Sequence, residues 1–243
     1  MICERMVLRA DLSHDQREIV AHTTELTNDS VVIRTDEPLS LGDLVSLRLS
    51  FRQLLEPVQL AARVIAREPG SGFGYFPGVT LAFDTPTTEQ QERVARLIGA
   101  YEGERSGERP TCRVLVVEDS ALMRDFVKLG TERFIDGRVQ VMVDTVGTVE
   151  QALEMLEQHT YALALVDLYL PPGDTNGDGL VRIIRERGLD QLAVIGFSVG
   201  GAAARAAFLD AGADLFLDKP VMMKDLFTTV ERLTLLNARK GLV

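Results

Sequence analysis

Three carboxylates, a hydroxyl and an ammonium in the second half of the chain each stand where an apolar run stops. Glu118 and Asp119 follow VLVV, Asp167 follows LALV, Ser198 follows VIGF, and Lys219 precedes Pro220 after FLD. Short unbroken apolar runs read as strands of an open parallel sheet, buried on both faces, and sites in such sheets form outside the carboxyl ends of the strands. The five side chains therefore converge on one crevice. Carboxylates packed that closely repel one another, so the set points to a bound hard cation, with Mg2+ the oxygen-liking candidate. Asp167 comes alone from its own strand and is placed to attack phosphorus as a covalent acceptor. Lys219 would pair with phosphoryl oxygens and Ser198 would hydrogen-bond one of them. These are the parts of a phosphoryl-transfer site without a nucleotide loop.

With these residues in view, positions 113 to 238 resemble the receiver domain of bacterial two-component response regulators. The resemblance is carried by the acidic pair in VVEDSALMR, the acceptor in LVDLYLP, the hydroxyl in IGFS and the FLDKP segment with an aromatic three residues before its lysine. It implies an α/β doubly wound, five-stranded parallel sheet that takes a phosphoryl group from a histidine kinase or phosphotransfer protein. By the same resemblance Asp167 is the phosphoacceptor, Asp119 a direct Mg2+ ligand, Glu118 a ligand through water, and the backbone carbonyl of Tyr169 a further ligand. Ser198 and Phe216 are the implied switch pair and Lys219 the phosphate partner. Two departures stand out. The stretch LYLPPGDTNGDG after Asp167 is longer than the usual loop and rich in turn formers; its spare carboxylates, Asp174 and Asp178, lack the spaced glutamate of a calcium loop and read as a solvated turn. Val199 follows Ser198 where the family prefers a very small residue, and bulk there would slow kinase access or hydrolysis.

A chain of 243 residues has room for two domains, and one receiver accounts for the second half. The segment TPTTEQQERVARLIGAYEGERSGERPT holds a short helix capped at Thr88, with Val94, Leu97, Ile98 and Tyr101 at spacings of three and four. The apolar-free GERSGERP after it reads as a linker, giving a first domain over 1–103, a linker over 104–111 and a second domain over 112–243. A net charge of -10 and the absence of any lysine before Lys128 argue against DNA as a partner. With no apolar signal core and no run near ~18 apolar residues, the expectation is a cytoplasmic protein with no membrane insertion. Cys3 and Cys112 have no metal or redox spacing and read as reduced, incidental thiols.

The first half reads as all-β until its helix. Strand-like stretches occur at VLRADLS, EIVAHTTEL, SVVIRT, LVSLRLSF, VQLAARVIAR and GVTLAF, and six short strands in about eighty residues suggest a small closed barrel. His14 and His22 have no ligand-spaced neighbours and read as a turn residue and a strand residue. The order and punctuation resemble a PilZ domain, the barrel that in many bacterial proteins binds cyclic di-GMP, carried by TELTNDSVVIRTDEPLSLGDLVSLRLSF, VQLAARVIARE and FPGVTLAFD with a closing helix. In the binding version two arginines spaced Arg-x-x-x-Arg clamp the ligand and an Asp/Asn-x-Ser-x-x-Gly turn reads a guanine edge. Arg5 and Arg9 have the first spacing. The second motif has two registers. Asn28 to Ile33 keeps Asn and Ser but puts Ile33 at the glycine; Glu25 to Ser30, the preferred register, preserves the following strand but replaces all three signature residues.

The fold class expected is thus α+β in two domains, a six-stranded PilZ-like barrel with a closing helix followed by a receiver-like sheet. Two functions remain open at this point. In one, the receiver controls docking of an unidentified output protein on the barrel, with phosphorylation-dependent homodimerisation as a route. In the other, the barrel is a cyclic di-GMP receptor and the receiver integrates a second signal. Neither is an enzyme acting on a separate small substrate.

Overall fold

A computed structural model describes residues 3–68, 77–99, 109–134, 139–170, 176–219 and 223–239, with backbone alone for 131–134 and 238–239. Tyr101, Asp174, Pro220 and the linker up to residue 108 lie outside these. The chain divides into two compact units, one built from residues up to Glu104 apart from Arg52–Leu54, the other from the remainder.

The first unit is a barrel. Strands β1 (Glu4–Arg5), β2 (Arg9–His14), β3 (Arg17–Leu26), β4 (Ser30–Arg34), β5 (Leu44–Phe51), β6 (Leu55–Glu68) and β7 (Gly78–Phe83) are ordered β1-β3-β2-β5-β6-β7-β4, and a further β3–β4 pairing closes six of them into a ring. Every described neighbour pair is antiparallel. Alternation dictates the inside. Ala10 and Leu12 of β2, Val45, Leu47 and Leu49 of β5, Val58, Leu60, Ala62 and Val64 of β6, and Val31 and Ile33 of β4 are all buried, while the residues between them face out. Closure leaves no long unpaired edge.

Two details differ from the sequence reading. The strand expected from Val7 is β2, which begins at Arg9, because the Thr23 hydroxyl takes over the backbone there: it accepts from Leu8 N at 3.0 Å and donates to Met6 O at 2.6 Å. His14 belongs to strand β2, opposite Arg17, and the turn is Asp15-Gln16, both at positive φ of 47° and 64°. A two-residue hairpin requires that backbone whichever side chains occupy it.

Helix α1 (Thr88–Ile98) buries Val94, Leu97 and Ile98, as its spacing predicts. Its cap is Thr87, one residue earlier than expected. Gln90 N donates to Thr87 Oγ1 and Thr87 N donates to Gln90 Oε1, a reciprocal pair that Thr88 could complete only with Gln91.

The second unit is a five-stranded parallel sheet. Strands β8 (Thr111–Val117), β9 (Gln140–Val146), β10 (Leu163–Asp167), β11 (Ala193–Ser198) and β12 (Leu215–Asp218) are ordered β12-β11-β10-β8-β9, alternating with helices α2 (Ala121–Phe134), α3 (Val149–Gln158), α4 (Gly177–Glu186), α5 (Gly201–Asp210) and α6 (Met223–Arg239). All five residues of β10 and all six of β11 are buried, as a sheet covered on both faces requires. The chain runs first to β9 and then reverses through β10, so the switch point lies between β8 and β10. A crevice opens there at the carboxyl ends of the strands.

Candidate functional site

Each acidic residue is delivered to that crevice by a strand end. Strand β8 stops at Val117, so Glu118 and Asp119 form the first turn out of the sheet; Asp167 is the last residue of the adjacent β10. Carboxylate oxygens of Glu118, Asp119 and Asp167 all lie within 4.8 Å of one another. Glu118 and Asp167 are buried at 2% and 6% exposure, and Asp119 faces solvent. Lys219 reaches in from the end of β12. Its Nζ donates to Glu118 Oε2 and to Asp167 Oδ2, both at 2.8 Å, and sits 4.5 Å from the centroid of the Phe197 ring. The backbone fixes that reach, because Lys219 N donates to Ser198 O at 2.9 Å.

Two buried polar atoms here have no hydrogen-bond partner among the described residues, Asp167 Oδ1 and Ser198 Oγ. Buried polar atoms in native proteins are nearly always paired, so such atoms at a strand-end crevice mark where a ligand belongs. Three carboxylates against one ammonium also leave the cluster short of positive charge. Burial pushes the Glu118 carboxyl up, Asp167 adds to the effect, and the hydrogen bond and charge of Lys219 do not cancel it. Burial works against the Lys219 ammonium too, but its bonds to Asp167 and Glu118 outweigh that and raise its pKa. A hard divalent cation fits this donor set, since all three carboxylates offer oxygen.

Ser198 is fully buried at the end of β11. Phe216 is buried on β12, its ring 5.7 Å from that of Phe208, so it packs inward. Phe208 in turn lies over Gly196, where a Cβ would fall 2.5 Å from the ring. Tyr169 and Val199 project into solvent at 57% and 74% exposure just beyond the ends of β10 and β11. Asp178, read as part of a solvated turn, instead stands in the first turn of α4 and pairs with Arg182 at 2.9 Å. The reason is Gly177: an ideal Cβ there would lie 1.9 Å from Asp167 O, so only glycine lets the helix start directly against the Asp167 backbone.

On the barrel, Arg5 lies opposite Glu25 across β1 and β3, and Arg9 lies opposite His22 across β2 and β3. Arg9 Nε donates to Asp11 Oδ1 at 2.7 Å. Residues 27–29 turn the chain between β3 and β4, so of the two registers the one over Glu25 to Ser30 spans the turn. Thr27 Oγ1 accepts from Asp29 N and Ser30 N and lies 2.9 Å from Ser30 Oγ. Ser30 is not among the residues at positive φ, so serine stands there without backbone strain.

Sequence reasoning missed Arg124, whose guanidinium folds back onto the acidic turn, and Ser120, whose N–H donates to Glu118 Oε1 at 3.3 Å. It also missed the closeness of Gly177 to Asp167. An arginine and a serine at a helix start carry no signal of their own; the glycine's signal, in a segment dense in turn formers, was indistinguishable from its neighbours.

Comparison with known proteins agrees with both halves. The response regulator receiver domain family matches residues 114–231 and the PilZ domain family residues 5–100. Transcriptional regulatory protein CutR of Streptomyces coelicolor is 33% identical over 121 residues, 50% of this chain and 52% of its own length. Two-component response regulator PhoP of Pseudomonas aeruginosa is 32% identical over 116 residues, 47% of this chain and 48% of its own. The chain spans about half the length of the curated relatives it matches. Among solved structures, the receiver domain of the Francisella response regulator 1452 is similar, with a TM-score of 0.44 and 23% identity, covering 51% of this chain and 96% of that one. The chain carries a PilZ domain followed by a response regulator receiver domain.

Proposed function

We propose that this protein is a response regulator of a phosphorelay, in which Asp167 accepts a phosphoryl group from a histidine kinase or phosphotransfer protein and thereby controls what the PilZ-like domain binds. The observation that carries this reading is the asymmetric state of Asp167: Oδ2 is held by Lys219 while Oδ1 is buried and unpartnered. In the step, a carboxylate oxygen of Asp167 forms a bond to phosphorus, the bond from phosphorus to the donor's imidazole nitrogen breaks, and the imidazole leaves with the electron pair. Glu118, Asp119, Asp167 and the Tyr169 carbonyl would hold Mg2+, which neutralises phosphoryl charge when bound. Lys219 would pair with a phosphoryl oxygen, and the Ser198 hydroxyl would donate to another. Phe216, on the strand paired with that of Ser198, would follow the hydroxyl as the switch aromatic.

The output side rests on the barrel over 1–103, joined through 104–111 to the receiver over 112–243, in a cytoplasmic setting. Among the described residues no helix is long and apolar enough to cross a membrane. Docking of a protein partner on the barrel is favoured over cyclic di-GMP because both motif arginines face carboxylate-bearing neighbours, Arg5 opposite Glu25 and Arg9 on Asp11.

Incubation with acetyl phosphate or beryllofluoride and Mg2+ tests the reading. With acetyl phosphate, wild type should gain one phosphoryl group by intact mass and Asp167→Asn should gain none; with either reagent, a change in elution on size exclusion would add dimerisation driven by the phosphorylated state. Absence of modification in wild type would overturn the proposal.

A further inference from the structure

The acidic turn is held in shape by a residue outside the cluster. Arg124 stands at the start of α2, and its Nη1 donates to the carbonyl oxygens of both Glu118, at 2.6 Å, and Asp119, at 2.8 Å. Two consecutive carbonyls aimed at one nitrogen fix the peptide between them, and with it the direction in which both acidic side chains leave the backbone. Other bonds at the turn involve different groups: Ser120 N donates to Glu118 Oε1 at 3.3 Å, Met123 N to Ser120 Oγ at 3.4 Å, Arg124 N to Ser120 O at 3.0 Å, and Glu118 N to Val146 O at 3.0 Å, and none of these four takes up the Glu118 or Asp119 carbonyl. Beside Val146 the neighbouring loop makes room for the guanidinium. A Cβ on Gly147 would lie 3.2 Å from Arg124 Nη1 and 3.7 Å from Cζ, and Gly147 N is itself taken up by Gln151 Oε1 at 3.0 Å.

We propose that Arg124 is a positioning residue for the divalent cation, setting its affinity by fixing the Glu118-Asp119 turn rather than by touching the ion or the phosphoryl group. This rests on the reading of the acidic cluster as a cation site. Groups that orient metal ligands from behind matter because a ligand free to rotate must be ordered at the moment of binding, and their loss commonly costs about 10- to 100-fold in affinity.

The test is Mn2+ binding by the full chain, followed by electron paramagnetic resonance with no phosphoryl donor present, in wild type, Asp119→Asn, Arg124→Met and Arg124→Lys. Methionine keeps the stem and its packing but has no donor; lysine keeps a single nitrogen, which is all the observed geometry uses. Arg124→Met should weaken Mn2+ by about tenfold or more, and Arg124→Lys should recover most of the loss. With acetyl phosphate, the half-saturating Mg2+ concentration of Arg124→Met should rise in the same proportion while the rate at saturating Mg2+ stays at the wild-type plateau. A merely structural role would lower the plateau instead. Mn2+ binding by Arg124→Met equal to wild type, or a lowered plateau at unchanged half-saturation, overturns the inference alone. Wild type that takes up no Mn2+, or binds it independently of Asp119, overturns the cation reading and this inference with it.

Discussion

Lys219 stands where a cation must compete with it. Its ammonium occupies Glu118 Oε2 and Asp167 Oδ2, so a divalent ion arriving at those carboxylates gains their charge only as the ammonium yields. Lys219→Met should therefore bind Mn2+ severalfold more tightly than wild type while accepting phosphate poorly, since the phosphoryl oxygens lose their partner. A drop in both would show that Lys219 builds the cluster rather than competes for it. Cys112 gives a second test at this scale. Burial pushes its thiol up to about 11 from an ordinary value of 9.0, against a small opposing pull from Thr234. A raised folded pKa means that the folded chain keeps its proton where the unfolded chain has lost it. The contribution is whole below about pH 9 and fades as pH rises toward 11, by roughly 2 to 3 kcal/mol at 1.36 kcal/mol per unit. Denaturation of the receiver at pH 8 and pH 10.5 should show that decline in wild type and not in Cys112→Ala. The five chemical groups of the crevice were legible in the sequence because each ends an apolar run. Arg124 was not, because an arginine at a helix start reads as a solvated face until the fold turns it back on its own loop.

Helix starts decide the geometry at the level of elements. Gly177 lets α4 begin against Asp167, and Gly177→Ala would drive a methyl into the Asp167 carbonyl. The backbone must move, with a loss of about 1 to 3 kcal/mol or more, and phosphorylation by acetyl phosphate should fall with it because the acceptor itself is displaced. Helix α2 offers the opposite case, a face whose large apolar side chains stay mostly exposed. Leu122, Phe126 and Leu129, spaced four and three apart, are 78%, 54% and 65% exposed, and the stripe starts three residues after Asp119. Large apolar side chains aligned beside a reactive site suit a helical protein donor, which small acetyl phosphate does not need. Replacing all three with serine should cut phosphotransfer from a histidine-phosphorylated donor by an order of magnitude or more, at about 1.4 kcal/mol per tenfold, and leave the acetyl phosphate rate unchanged. Equal losses with both donors would place the stripe in folding instead. Strands were legible here because period-two alternation and unbroken apolar runs survive in any one sequence. The cap at Thr87 and the Asp15-Gln16 turn were not, since threonine pairs and polar dipeptides occur in many places and only the closed geometry selects one.

At the scale of the whole molecule the question is which signal enters through the barrel. The six-stranded ring was foreseen from strand count and spacing, whereas the state of its arginines was not, because Arg5's neighbour across the strands follows from register and Arg9's bond to Asp11 from which face of β2 both side chains share. Arg5 faces Glu25 on β3, and Arg9 is bonded to Asp11 on its own strand. A dianionic ligand recruiting these arginines would have to draw Arg9 from Asp11 and sit beside the carboxylates of both Asp11 and Glu25, so like charge opposes it. The turn that would approach a guanine edge is filled by the Thr27 and Ser30 hydroxyls, bonded to each other. Calorimetric titration of the chain with cyclic di-GMP should accordingly show no saturable heat, with or without beryllofluoride. Linkage makes the control reciprocal: a dinucleotide that changed the receiver's state would also have its own affinity changed by beryllofluoride, by the same factor. Saturable binding abolished by Arg5→Ala and Arg9→Ala would replace the protein-docking reading with a messenger receptor. No binding, together with a phosphorylation-dependent change in what the full chain captures, leaves the barrel as the docking output of the phosphorylated receiver.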